Sequence, residues 1–417
     1  MGRIYASAQV TIAAAAGVDP THGLVGISRD RSTLLAREPV GSSRYLCQIP
    51  QSAQHYIIRS PWFSRAWTFQ EGYLSKRILC FTEGEAVFTC KSHDLIMESG
   101  QNSRVHGDWY GTVNGTIIRT ALSTQGNCLS HASKIMETYS ARVRGHDSDA
   151  LNAIFGILNV LRHGNPPVYH NRGVPFTITR RPDVAHSTDS TVSISLDWQH
   201  LDNARRLPEF PSWSTLGWIG EIYHHRESQV TSHFMIKYWS GDRYRELDEG
   251  TCDLDYTYRL DGTHQSQYLE IMTDVVQVEL QFRSRTYFLK PTFLRRKRDE
   301  DQEANWTNEN MTCPFFRVVL DDEKNFDATL PVLCSTTTPL DFVSGSWGSF
   351  QDRHPIFLFF QKGVKSYERI GVCDPDVYTI GSDGHMIKDD KNMWEFVPPG
   401  EPGAWDQVAE RRTFLLG

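Results

Sequence analysis

The run Ser60-Pro61-Trp62-Phe63-Ser64-Arg65-Ala66-Trp67-Thr68-Phe69-Gln70-Glu71-Gly72-Tyr73-Leu74-Ser75-Lys76-Arg77 concentrates the side chains able to do chemistry. On a helix, Trp67, Gln70, Glu71 and Leu74 fall at i, i+3, i+4 and i+7 and share one face. Trp67 and Leu74 predict that this face is buried, which brings Gln70 and Glu71 to the core or its margin. A buried carboxylate is costly unless it is paired or hydrogen-bonded, and Arg65 and Arg77 flank the run as candidate partners. Two roles for Glu71 fit this pattern. In one it holds a strand end or caps a neighbouring element. In the other it faces a cleft with Trp67 as the wall, where a perturbed carboxylate could react.

The elements that position this run are legible around it. Ser60-Pro61 breaks the chain, and Ser60 or Ser64 can cap a helix over residues 63–74. Residues 76–81 and 86–89 predict two strands that turn through Gly84. Upstream, residues 1–8 read as a short helix end. Residues 10–14 read as a buried strand closed by Gly17 and Asp19-Pro20. Residues 17–43 read as a loop, and 44–49 and 56–59 as short strands. Residues 92–128 are polar and irregular. Helices are expected over 129–144 and 148–161, the second with Leu151, Ile154, Phe155 and Leu158 on one face. Residues 162–192 are rich in Pro, His, Arg and Thr and read as a linker or surface excursion.

From residue 193 short β-branched and aromatic runs dominate, at 193–198, 233–238, 267–289, 315–320, 356–360 and 370–372. Arg295-Arg296-Lys297-Arg298, with acids beside it, reads as an exposed loop. The expected organisation is an α/β region over 1–92, a helical connecting region over 93–165, a linker over 166–192 and a mainly β region over 193–417.

Composition narrows the function classes. The chain has 417 residues, 39% hydrophobic and 22% charged, enough apolar material for packed cores. Its formal charge of −7 argues against a globally basic nucleic-acid binder. The longest apolar candidate, residues 10–18, is far short of the ~20 residues that a membrane helix needs. Tyr5, Ser7, Gln9 and Thr11 dilute the signal-like N-terminus, and Ala6 stands where a myristoylation pattern needs Ser or Thr. The 8 Cys are dispersed with no CxxC, so they read as reduced thiols of a cytoplasmic protein. Sequons at Asn114, Asn305 and Asn310 would matter only after secretion. No P-loop, GxGxxG, HExxH, paired CxxC or GxSxG is present, and His224-His225 reads as a surface pair. No cofactor or metal is expected.

Residues 1–17, MGRIYASAQVTIAAAAG, resemble the M-x-x-I-Y-x-x-A-x-x-T-I-x-A-x-x-G stretch of the fungal heterokaryon-incompatibility (HET) domain. Residues 61–81 resemble its R-G-W-T-x-Q-E-x-x-L-S-x-R-x-L-x-F signature through Arg65, Trp67, Thr68, Gln70, Glu71, Leu74, Ser75, Arg77, Leu79 and Phe81. Tyr139 and Arg142, followed by residues 149–158, are similar to a downstream region of such proteins. Pro211-Ser212-Trp213-Ser214 with Gly217-Trp218 resembles their P-S-W-S-W-x-G-W. Ala66 replaces the usual Gly, a mild change within a helix. The family's L-C-I-N-Q and S-Y-x-W-G blocks are absent, so the chain reads as the C-terminal half of a HET domain and the region after it.

The resemblance implies a partial TIR-like α/β fold, which the residue pattern continues as α+β with a mainly β C-terminal half. It implies non-self recognition that leads to growth arrest or cell death, with protein partners and self-association as the hypothesised route; the net charge and the short apolar runs speak against nucleic acid or membrane as partners. An alternative carried by the TIR likeness is an NAD-cleaving hydrolase using Glu71, although fold-level analogy is a weak warrant for chemistry. A truncated, non-functional paralogue is the third reading.

Overall fold

Ser60 and Pro61 open the helical run by the mechanism that the sequence signals. The Ser60 hydroxyl accepts the Phe63 N–H at 3.1 Å, and Pro61 occupies the first turn. The computed structural model describes residues 1–31, 37–40, 44–47, 53–90, 93–97, 128–180, 190–202, 204–224, 235–239, 244–246, 268–283, 286–291, 294–296, 315–321, 326–336, 357–363, 365–380, 385–388, 394–396 and 408–417. Strands predominate. Two compact units emerge: Met1–His131 with Ala141–Pro167, and Ala132–Ser140 with Val168–Gly417.

The first unit contains helices α1 (Gly2–Ser7), α2 (Ala53–Ile58), α3 (Pro61–Ser64), α4 (Ala66–Leu74) and α6 (Asn152–Arg162), and the first residues of α5 (Cys128–Ser140). Its strands β1 (Thr11–Ala14), β4 (Arg77–Phe81), β5 (Ala86–Cys90) and β6 (His93–Met97) form one sheet in that order. A further hairpin pairs β2 (Arg37–Val40) with β3 (Arg44–Cys47). β1 runs parallel to β4, with Ala13 opposite Cys80. A parallel pair needs a crossover, and helical residues intervene between these two strands. Ala13, Ala15, Ile57, Trp62, Ile78, Cys80 and Val87 form the core against the sheet. Burial there pushes the Cys80 thiol up to about 12.

Two local expectations are corrected. Residues 56–59 do not form a strand. They lie in and just after α2, where Arg59 N–H bonds the His55 carbonyl at 3.2 Å and the Ser60 hydroxyl bonds the Ile57 carbonyl at 2.7 Å. The β-branched pair Ile57-Ile58 gave a misleading propensity, and burial of Ile57 overrides it. The helix expected over 63–74 is also broken. At Arg65 the backbone is extended, because Ala66 N–H bonds the Val143 carbonyl at 2.9 Å and Val143 N–H bonds the Ser64 carbonyl at 2.7 Å. These tertiary bonds substitute for one helical turn.

In the second unit, β7 (Tyr169–Asn171), β8 (Val174–Arg180) and β9 (Ser190–Ile194) form an antiparallel sheet. Part of the expected linker is therefore a hairpin. Its turn residues Arg172 and Gly173 have φ of 48° and 85°, the signs that a tight primed turn requires. Short pairs join β10 (Trp198–His200) to β13 (Ile222–His224), and β11 (Arg205–Arg206) to β12 (Trp218–Ile219).

The larger sheet comprises β14 (Met235–Trp239), β15 (Tyr244–Glu246), β16 (Leu269–Val278), β17 (Leu280–Arg283), β18 (Thr286–Leu289), β20 (Phe315–Leu320), β21 (Val332–Thr336), β22 (Phe357–Lys362), β23 (Tyr367–Ile380), β24 (Met386–Lys388) and β26 (Glu410–Leu416). Separately, β19 (Leu294–Arg296) pairs with β25 (Trp394–Phe396), so Arg295 and Arg296 lie in a strand rather than a loop. Lys297 and Arg298 fall outside the described residues.

The pairings β16–β21–β22–β23–β26 return to β16 and make a closed hydrogen-bonded circuit. Leu269, Ile271 and Val275 of β16 join Leu333, Phe360, Val372, Phe414 and Leu416 in one core, with Phe176 and Trp213 packed into it. Alternation along β16 separates these from Glu270, Met272 and Asp274. His224 also departs from its surface reading: it is 4% exposed. His225 lies outside the described residues.

Candidate functional site

α4 places its four singled-out residues in two directions. Gln70 points to α6. Its amide Nε2 donates to the Asn152 carbonyl at 2.9 Å, and its Oε1 accepts the Gly156 N–H at 3.0 Å. It is 2% exposed, so these bonds replace water entirely. Leu74 is buried, and Gly2 and Gly156 let α1 and α6 approach it closely. Trp67 is half-buried, and its indole N–H donates to Asp149 Oδ2 at 3.0 Å just before α6.

Glu71 points elsewhere. One carboxylate oxygen accepts the Tyr5 hydroxyl at 3.1 Å, and the other accepts the Trp62 indole N–H at 3.0 Å. The flanking arginines are not these partners: Arg65 and Arg77 are exposed, and Arg77 Nη1 reaches the Gln9 carbonyl at 3.3 Å. Two neutral donors thus hold the half-buried carboxylate and join α1, α3 and α4. Burial, then the Glu71 charge beside it, pushes the Tyr5 phenol up to about 12, while the Arg65 charge opposes the rise. Tyr5 therefore stays a hydrogen-bond donor at neutral pH. Behind Glu71, the Ser75 hydroxyl donates to the Glu71 carbonyl at 2.6 Å and lies 2.6 Å from the Thr11 hydroxyl, which ties β1 to the end of α4.

A buried arginine braces the other side. Arg142 stacks over Phe63 and Phe69, with its guanidinium carbon 4.3 Å and 4.5 Å from the ring centroids. Its Nη1 donates to the Phe63 carbonyl at 2.6 Å and to the Arg65 carbonyl at 3.3 Å, so it braces the junction between α3 and α4.

Sequence spacing alone did not find Tyr5, Trp62 or Asp149 as partners. Their signal was indirect: residues 1–17, 61–81 and 149–158 are separate sequence blocks, and α4 is where all three meet. The fourth block, Pro211 to Trp218, lies in the second unit. Trp213 and Trp218 are buried there, and the Trp218 N–H donates to the Ser212 carbonyl at 3.1 Å. The Ser214 hydroxyl donates to the Arg172 carbonyl at 2.6 Å. Ser212 N–H meets the Gly417 carbonyl at 3.0 Å, and its hydroxyl accepts the Arg369 N–H at 2.9 Å. This block organises a core. Among the described residues, no group of three or more His, Cys, Asp or Glu is placed to hold a metal ion.

The chemistry available at Glu71 is hydrogen-bond acceptance in a semi-dry setting lined by aromatic rings. Such a carboxylate can clasp elements together, and it can act on a ligand only after giving up one of its two donors.

The segment that forms α1, β1, α2, α3 and the start of α4 resembles a known family. Residues 1–71 match the family described as heterokaryon incompatibility protein (HET), a fungal family. The match ends on Glu71 and takes in Tyr5, Trp62, Arg65, Trp67 and Gln70. Over those residues of its first unit the chain is similar to that family. No curated protein and no solved structure matches it.

Proposed function

We propose that this chain acts in fungal non-self recognition, as a cytoplasmic signalling protein whose engagement leads to growth arrest or cell death. Its first unit acts as a TIR-like module through protein partners and self-association, and its mainly β unit recognises or scaffolds. The match of residues 1–71 to the HET family is the observation that carries this reading. The Glu71 clasp unites the family residues in one role, in which Tyr5, Trp62 and Glu71 fix α1 against α3 and α4, and Gln70 fixes α6.

Induced expression of the full chain in a fungal host, beside Glu71→Ala at equal protein level, tests the proposal. Death or arrest with the wild type, lost in Glu71→Ala, supports signalling through an intact clasp. Death retained in the variant keeps the signalling and removes Glu71 from it. Normal growth with abundant soluble wild-type protein, in hosts of different incompatibility types, overturns the signalling reading.

A second reading, NAD cleavage by Glu71, draws on a carboxylate half-buried among aromatic rings. Incubation of purified chain with NAD separates the two. Nicotinamide release abolished by Glu71→Gln in a folded protein favours the hydrolase. No release, or release unchanged by the substitution, removes it. The clasp predicts no release, because both oxygens are already engaged.

A further inference from the structure

A set of buried and half-buried polar groups in the second unit takes no part in the reading above. Helix α5 presents Ser133, Glu137 and Ser140 at i, i+4 and i+7, one polar stripe. The stripe docks on edges of short strands. The Ser140 hydroxyl accepts the Ile222 N–H at 3.0 Å, and Glu137 Oε1 accepts the His224 N–H at 2.8 Å. Ile222 and His224 are two apart on β13, so both N–H groups leave the same strand edge. The helix side chains complete that edge as another strand would.

Two of these contacts lead inward to Asp197. The Ser133 hydroxyl lies 2.7 Å from that of Ser195, and the Ser195 hydroxyl lies 3.5 Å from Asp197 Oδ1. On the other side, Glu137 Oε1 lies 3.4 Å from His224 Nδ1, and the His224 charge acts on Asp197. Consecutive turns of α5 therefore touch Ser195, whose hydroxyl donates toward Asp197, and His224, whose charge acts on Asp197. Asp197, His224 and Ser195 are 3%, 4% and 1% exposed.

We propose that Ser133, Ser195, Asp197, His224 and Glu137 form a pH-operated latch that binds α5 tightly when Asp197 carries a proton and loosens it when Asp197 is ionised. The charges around the group decide this. Facing Asp197 are His224 on β13 and Arg369 on β23. Arg369 is committed elsewhere: it pairs with Asp321, donates to the Trp198 carbonyl and to the Leu196 carbonyl at 3.3 Å, and stacks 3.8 Å over the Trp198 ring. His200 on β10 stays neutral, because burial and then the Arg369 charge push it down to about 3. Glu137 already holds His224 and Lys134, the latter at 2.5 Å. An ionised Asp197 thus adds a further carboxylate to a buried polar cluster in which His224 already faces Glu137 and Arg369 already faces Asp321. Burial raises the Asp197 carboxyl, opposed by the charges of His224 and Arg369 and by the Ser195 hydroxyl. A protonated carboxyl can instead donate into the Ser195–Ser133 relay and join the helix by neutral hydrogen bonds.

Hydrogen exchange of the residue 133–140 amides in the full chain, from pH 4 to pH 8 and corrected for intrinsic exchange, reads the latch. Protection is expected to fall as pH rises, with a slope of up to about tenfold per pH unit, the limit for one proton. Asp197→Asn should abolish the slope. A flat wild-type profile overturns the latch, and so does an undiminished slope in folded Asp197→Asn. If that variant does not fold, Ser133→Ala cuts the relay while leaving Asp197 in place. Its slope must shrink, and an unchanged one equally overturns the proposal.

Discussion

Gly156→Ala tests whether α4 and α6 are joined as tightly as the Gln70 bonds imply. A Cβ at residue 156 would overlap Gln70 Oε1 and come within 3.2 Å of the Gly2 Cα. Alanine would gain about 1 kcal/mol in helix propensity. Against this, the Gln70 amide must move and give up its bonds to Gly156 N–H and the Asn152 carbonyl. Gln70 is 2% exposed, so no water replaces them, and each stranded group costs about 1–3 kcal/mol. Crowding against Leu74 and Gly2 adds about 1 kcal/mol. The net is a loss of about 2–6 kcal/mol, or roughly a 30- to 26,000-fold fall in protection at 1.36 kcal/mol per decade. The assay is native-state hydrogen exchange of α4 and α6 amides. Gly145→Ala is the control, since a Cβ there meets nothing within 4 Å, and it should change stability by less than about 0.5 kcal/mol. Protection unchanged or increased in Gly156→Ala would refute the close-approach account.

Two further outcomes follow from buried charge. Although burial opposes it, hydrogen bonds from His224 and Lys134 hold the Glu137 carboxyl down at about 2, below its ordinary 4.5. Its stabilisation is therefore present above the ordinary value and lost as pH falls from 4.5 toward 2. Acid unfolding followed by circular dichroism should show a shallower limb in Glu137→Gln, and identical limbs would count against the pairing. Arg369→Met removes the guanidinium that faces the buried Asp321 carboxylate and should cost about 3–5 kcal/mol. An unchanged urea midpoint for the second unit would sink this.

Much of the frame was legible because local pattern and burial agreed. The Ser60-Pro61 start and the strand pair expected at 76–81 and 86–89 are short-range signals, and each formed close to where its residues predicted. What was not legible depended on distant chain. Glu71 meets Tyr5 across 66 positions, so a charge partner close in sequence was the wrong inference. The break at Arg65 is caused by Val143, which no helical period can reveal. The β7–β8 hairpin was hidden by a Pro- and His-rich composition. Its real marker was Asn171-Arg172-Gly173, where a non-glycine accepts a positive φ beside a glycine. The role of Gln70 as the joint to α6 was missed for the same reason as Tyr5: spacing gives a face, not what lies against it.

The closed strand circuit also has an order in time. Synthesis completes β16 at Val278 and reaches β26 only at Glu410, 132 positions later. At about 5–20 residues per second, that interval is roughly 7–26 s. Throughout it, the edge of β16 that β26 will cover offers unpaired backbone beside Leu269, Ile271 and Val275, a template on which a neighbouring nascent chain could pair. Glu270 and Asp274 alternate with those apolar residues, and like charges repel a second copy of the same strand. When β26 arrives, Asp274 meets Arg411 at 3.2 Å. The carboxylate that fends off the wrong strand during synthesis then marks the register of the right one.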